Sequence, residues 1–156
     1  MVKFFKILSQ NPSQTKKIAK ILAGEFLKTQ TKKALVLGLI GDLGGGKTTF
    51  LQGFAKGLGI KEKILSPSFV IIKKYPIFTK TYNLKPKTFV HIDCYRIGKP
   101  KEILDLGFKE IISDPKNIVA IEWADRIKKI LPQKILILKF DFVDQTQREI
   151  EILNYV

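Results

Sequence analysis

The stretch Gly41-Asp42-Leu43-Gly44-Gly45-Gly46-Lys47-Thr48-Thr49 has the residue types and spacing for phosphate chemistry. Gly41, four residues, then Gly46, Lys47 and Thr48 is the phosphate-loop pattern. Glycines let successive backbone N–H groups turn inward on a phosphate, and the start of the following helix adds the positive end of its dipole. In such a loop the lysine reaches the β and γ phosphates and the hydroxyl after it holds Mg²⁺. Two apolar runs that end in carboxylates supply the remaining groups: Phe89-Val90-His91-Ile92-Asp93 and Ile118-Val119-Ala120-Ile121-Glu122. Strand ends place side chains at the nucleotide crevice of α/β proteins. Asp93 and Glu122 are therefore candidates for holding Mg²⁺ and for orienting water, and their spacing alone does not divide the two roles. His91 shares a strand face with Asp93 by its two-residue offset; a lone histidine is more often structural than catalytic. Arg96 is suited to a carboxylate or a phosphate. Ser66-Pro67-Ser68-Phe69 brings two hydroxyls close behind the loop, in the manner of a switch segment near the γ-phosphate or of an ordinary Ser-Pro turn.

Those groups need a scaffold of alternating strands and helices. Residues 3–8 read as a short strand. Asn11 as N-cap, Pro12 at the first helical position and Gln14 as the reciprocal half of a capping box start a helix that runs to about Thr29. Ile18, Ile21, Leu22 and Phe26 are its expected apolar stripe. Residues 34–40 form the strand before the phosphate loop. Phe50, Leu51, Phe54, Ala55 and Leu58 mark the helix after it, with Gly57 and Gly59 near its end, where left-handed backbone is easily reached. A β-rich run covers 69–75, a polar loop 76–87, and a helix broken by Gly107 covers 102–110. Residues 124–131 are a short helix stopped by Pro132. Residues 134–142 and 147–153 form an antiparallel hairpin, and the alternation Glu149, Ile150, Glu151, Ile152 suggests an edge strand with one face in water. The expected fold is α/β: a mixed sheet of the P-loop NTPase type flanked by helices, with a C-terminal antiparallel hairpin, in a single domain over 1–156.

Composition narrows the function classes. At 156 residues, with 45% hydrophobic and 27% charged residues, the chain is ordinary for a soluble globular protein. No apolar run approaches a membrane span, and Lys3 and Lys6 interrupt the N-terminal apolar stretch, so the expected location is cytoplasmic, without membrane association. One cysteine, Cys94, and one histidine argue against an intramolecular disulfide or a structural metal site; Cys94 reads as a small core residue. The formal charge of +14 favours contact with phosphate backbones. Only Arg96, Arg126 and Arg148 are arginines, however, and the lysines are scattered. Bidentate base readout relies on arginine, so sequence-specific DNA binding is not expected.

Taken in order, Gly-Asp-Leu-Gly-Gly-Gly-Lys-Thr-Thr-Phe, Ser-Pro-Ser-Phe, His-Ile-Asp-Cys-Tyr-Arg-Ile, Leu-Asp-Leu-Gly-Phe-Lys-Glu and Ile-Glu-Trp-Ala-Asp-Arg resemble the TsaE family. That family is the small bacterial ATPase required for threonylcarbamoyladenosine modification of tRNA. The likeness runs from about Ser9 to Arg126. It implies ATP phosphates held by Gly44, Gly45, Gly46, Lys47, Thr48 and Thr49, and Mg²⁺ held through Thr48 and Glu122. It further implies that Asp93 is essential to hydrolysis, with Lys47 its partner in catalysis. Ser68 falls in the switch-like motif, Thr15 near the adenine site, and Trp123 directly after the metal-binding acid. Gly45 stands for the family's usual alanine, Ser68 for threonine, and Ala124-Asp125 for proline and glutamate. TsaB and TsaD proteins are the implied partners, on which slow ATP hydrolysis acts as a reset, with at most weak or indirect contact to tRNA. The alternative is a small P-loop kinase of a nucleoside or metabolite. Three arginines are few for the lid such kinases use to neutralise a transferred phosphoryl group. A GTPase is disfavoured because no Asn-Lys-x-Asp sequence is present.

Overall fold

In the computed structural model the described residues are 3–65, 71–78 and 87–155. They form one seven-stranded sheet in the order β1-β7-β6-β2-β5-β4-β3. The strands are β1 (Lys3–Ser9), β2 (Leu35–Ile40), β3 (Ile72–Ile77), β4 (Lys87–Asp93), β5 (Asn117–Glu122), β6 (Ile135–Phe142) and β7 (Arg148–Tyr155). The helices are α1 (Pro12–Lys28), α2 (Lys47–Gly57), α3 (Pro100–Leu104) and α4 (Phe108–Ser113), with a 3-10 helix over Ala124–Ile130. The central strands β6, β2, β5 and β4 run parallel, while β3, β7 and β1 are antiparallel to their neighbours. The mixed sheet and its C-terminal hairpin agree with the sequence expectation. Ser66-Pro67-Ser68-Phe69, including Ser68, lies outside the described residues.

The parallel strands read as unbroken apolar runs because helices cover both of their faces. Leu37 and Leu39 of β2 point into a core shared with Ala19, Phe26, Phe50 and Phe54 of α1 and α2. Val36 points the other way, into a core with Ile92, Ile103, Phe108 and Ile121. Local signals place the helix ends. The Asn11 carboxamide accepts the Gln14 N–H at 2.9 Å, and the Gln14 side chain accepts the N–H of Gln10 at 2.6 Å, one residue earlier than the usual reciprocal bond. Gly107, at φ +83°, separates α3 from α4.

Three expectations need correction. The stripe of α1 differs at one member: Phe26 is buried and Ile18 and Leu22 pack against the core beside Thr15, Ala19 and Ala23, whereas Ile21 is 71% exposed. The cause is a close approach of α2. A Cβ on Gly53 would meet the Lys16 carbonyl oxygen at 2.5 Å, and one on Gly57 would meet Ala23 Cβ at 2.7 Å. Small residues therefore sit at the closest approach, with Phe26 packed on Phe54 beyond it, and Ile21 is left on the outer side. Gly57 accordingly serves packing, while Gly59 takes the left-handed turn at φ +82°.

The second correction concerns β7, which is not an edge: it lies between β1 and β6. Its polar alternation reflects one half-exposed sheet face, on which Lys6 pairs with Glu149 at 2.9 Å. Strand alternation reports faces rather than edges. The third correction is that β3 continues through Pro76 to Ile77, where a loop is expected. β3 is an edge strand, the position in a sheet that tolerates a missing N–H.

The α1–α2 contact yields a stability prediction. Gly53→Ala gains helix propensity but drives a methyl into backbone that cannot step aside, for a net loss of about 2 kcal/mol. Thermal unfolding of this variant is expected roughly 4–8 °C below wild type; an unchanged or raised midpoint would show that α1 can move away freely.

Candidate functional site

β2 ends at Ile40, and the chain must then turn sharply past β6. Gly41 adopts φ +146°, and a Cβ there would sit 2.5 Å from the Phe140 carbonyl oxygen, so only glycine fits. Asp42 to Gly45 form a turn closed by Gly45 N–H donating to the Asp42 carbonyl at 3.1 Å, with Gly44 at φ +75°. Gly46, at φ +97°, caps α2. The eleven-residue α2 therefore begins at Lys47, its unpaired N–H groups and dipole directed at the loop.

β4 and β5 end beside this loop. In their parallel register Asp93 is opposite Glu122, and Glu122 is opposite Leu39 of β2 on the other side. A cleft of about 560 Å³ opens over these ends, lined by 43–49 together with Ile71, Asp93, Tyr95, Arg96, Glu122, Trp123 and Arg148. The fold thus brings Gly44, Gly45, Gly46, Lys47, Thr48, Thr49, Asp93, Glu122 and Trp123 together. Thr15 lies outside the lining; its hydroxyl is buried in a 2.6 Å hydrogen bond with Ser9.

Three charged side chains meet here with little solvent: Lys47 is 6% exposed, Asp93 7% and Glu122 2%. The Lys47 ammonium donates to the carbonyls of Gly41 and, at 2.7 Å, Asp42, and lies 4.4 Å from the centre of the Trp123 ring. Burial lowers its pKa below the ordinary lysine value, and the negative field of Glu122, Asp42, Asp125 and Asp93 acts in the opposite direction. The Asp93 carboxylate accepts the Tyr95 N–H at 2.9 Å, which fixes its orientation. Glu122 Oε1 is 3.5 Å from the Thr48 hydroxyl and 3.6 Å from His91 Nε2. Neither His91 ring nitrogen has a hydrogen-bond partner among the described residues, although the side chain is fully buried. The imidazole stacks on Phe89 and presents Nε2 to the carboxylate. His91 is thus placed behind Glu122, the inner wall of the site.

Trp123 follows at φ 56°, ψ 43°, the one left-handed residue other than glycine among those described. That conformation costs about 1–2 kcal/mol. It lets the chain leave β5 with Glu122 turned into the cleft and the indole laid across Lys47. Tyr95 and Arg126 pack on the same ring, at 5.1 Å and 5.3 Å between centres. Cys94, between Asp93 and Tyr95, is fully buried on the opposite face, where desolvation pushes its thiol up to about 12. It is a core residue, as its sequence position implies.

Sequence reading missed Arg148 as a site residue. It begins β7, and its Nε donates to the Gly44 carbonyl at 3.1 Å across 104 positions of chain. No local pattern announces such a contact; it exists because β6 and β7 bring the end of the hairpin beside the loop.

Residues 9–150 match the family described as threonylcarbamoyl adenosine biosynthesis protein TsaE. The tRNA threonylcarbamoyladenosine biosynthesis protein TsaE of Bacillus subtilis is 39% identical over 149 residues, covering 96% of this chain and 85% of that protein. The protein of the same name from Haemophilus influenzae is 33% identical over 138 residues, covering 88% and 79%. The crystal structure of Bacillus subtilis YdiB superposes with a TM-score of 0.75 at 36% identity, over all of this chain and 88% of that one. The chain belongs to the TsaE family.

Proposed function

We propose that this chain binds and hydrolyses ATP with Mg²⁺ in bacterial tRNA threonylcarbamoyladenosine synthesis, and that the hydrolysis acts as a switch on a TsaB/TsaD-type complex. The observation that carries the reading is the meeting of a phosphate loop, at the start of α2, with Asp93 and Glu122 at the adjoining ends of β4 and β5. The names of the Bacillus subtilis and Haemophilus influenzae relatives supply the pathway. No helix among the described residues is long and apolar enough to cross a membrane, which accords with action in the cytoplasm.

Residues 44–49 surround the phosphates in this reading, with Lys47 supplying charge to the β and γ groups. Thr48 and Glu122 offer a hydroxyl and a carboxylate 3.5 Å apart, two hard oxygen donors of the kind Mg²⁺ takes when phosphate and water complete its shell. These two residues would hold the ion, which when bound neutralises charge on the phosphate oxygens. Asp93, oriented by the Tyr95 N–H, is the acceptor for a proton of the attacking water. Trp123 shields Lys47 from solvent and faces the bound nucleotide. Ser68 keeps the switch-like role, and Thr15 the place near the adenine, that the family likeness gives them, although the Thr15 hydroxyl, buried on Ser9, does not itself line the cleft. Any contact with tRNA is weak or made through the partners.

Lys47→Ala is expected to weaken ATP binding at least tenfold in a calorimetric titration, because it removes the buried cation facing the phosphates; wild-type affinity would overturn the assignment. Asp93→Ala should retain ATP binding within a few-fold yet lose turnover by about a hundredfold or more, the usual scale of a positioned general base. Unchanged turnover would remove Asp93 from the reaction. Trp123 is the sole tryptophan, so its emission should change on Mg-nucleotide binding; a flat titration at saturation would place the nucleotide elsewhere. ATPase activity should rise on adding TsaB and TsaD proteins of the same organism. Phosphoryl transfer to a small acceptor outpacing hydrolysis would favour the kinase reading instead.

A further inference from the structure

Arg148 is held more tightly than a surface arginine needs to be. Its Nη1 donates to the carbonyls of Asp144 at 2.6 Å and Gln147 at 2.8 Å, while Nε donates to Gly44 at 3.1 Å. The guanidinium lies 4.6 Å from the centre of the Phe142 ring. The turn it grips is itself fixed, because the Asp144 carboxylate accepts the N–H groups of Thr146 at 2.9 Å and Gln147 at 2.7 Å. A planar fork with donors on two sides therefore links a rigid hairpin turn to one peptide of the phosphate loop. Gly44 stands at φ +75°, the N–H edge of its peptide with Gly45 is tied to the Asp42 carbonyl at 3.1 Å, and Arg148 is the group that holds the carbonyl edge. A carbonyl turned toward a phosphate would repel it, and the bond from Arg148 holds the Gly44 carbonyl on the side of the hairpin while the Asp42 bond fixes the opposite edge of the same planar peptide.

We propose that Arg148 is a positioning residue that locks the Gly44–Gly45 peptide plane and so presets the phosphate loop for its anion, with the β6–β7 hairpin as the anchor. The inference rests on the nucleotide-binding reading above and extends it to a residue outside the loop motif. Because the restraint acts before the phosphate arrives, its removal costs affinity rather than chemistry. Lysine does not replace it, since an ammonium cannot span the Gly44, Asp144 and Gln147 carbonyls as a fork does.

Wild type, Arg148→Ala and Arg148→Lys are compared by amide NMR without nucleotide, by calorimetric titration with ADP, and by steady-state ATPase kinetics. In both variants the Gly45 and Gly46 amide resonances are expected to shift or broaden in the nucleotide-free protein. The ADP dissociation constant and the KM for ATP should rise about tenfold, with kcat within twofold of wild type and the thermal midpoint little changed. Should Arg148→Ala fail to fold, Arg148→Lys, which keeps the charge and the stem, carries the same expectations. Variant affinities within twofold of wild type would overturn the proposal while leaving nucleotide binding intact, as would full recovery in Arg148→Lys. Failure of wild type to bind any nucleotide would overturn the underlying reading as well, which separates the two failures.

Discussion

The site depends on the parallel register of three strands. Leu39 of β2 is opposite Glu122 of β5, which is opposite Asp93 of β4, so two acids and the start of the glycine loop come into line at one end of the sheet. A slip of one residue would turn Glu122 away from Thr48 and toward the apolar cluster of Val119, Ile121 and Ala124. The register is held by apolar packing on both faces, with Leu37 and Leu39 on one side and Val36 on the other. Positioning of the charged groups is thus a consequence of hydrophobic burial that does not itself involve them.

That burial imposes a cost which the charges reduce for each other. An isolated buried ammonium or carboxylate is costly by several kcal/mol, and a paired one much less so. Lys47 sits among Glu122, Asp42, Asp125 and Asp93, and two loop carbonyls accept its hydrogens. Trp123 adds the face of an aromatic ring at the expense of a left-handed backbone. Donors, acid pair and ring are all held by contacts within the protein itself. Preorganisation of this kind is what makes a polar site effective, since no reorganisation is then required when charge develops.

Features encoded within a few residues of one another were legible in the sequence. The phosphate loop, the two acid-ended strands, the Asn11 cap and the Gly107 break each carry a local steric or hydrogen-bonding reason, and each lies where that reason puts it. Features that depend on which elements become neighbours were not legible. The Ile21 side of α1 looks as apolar as its core face until α2 approaches through Gly53 and Gly57. The alternation of β7 shows a polar face, yet β1 arrives from the other end of the chain to cover its edge. Arg148 has the same explanation: its role needs Gly44, and 104 residues separate them.

The charge of the chain and the charge of the site act at different ranges. With 28 basic residues against 14 acidic ones, the distant field is positive and draws anions toward the surface. Salt screens that field within about 8–10 Å at physiological strength, so it affects encounter more than residence. Inside the cleft two carboxylates, Asp93 and Glu122, are buried beside the Lys47 ammonium, where solvent screens them little. A bare polyphosphate would meet both acids at close range. Lys47, the α2 terminus and a cation shared with Thr48 and Glu122 are the groups that can offset that repulsion. On the proposed function, the same two carboxylates would favour a metal-bound nucleotide over a free one, a selectivity that the net charge of +14 would not by itself suggest.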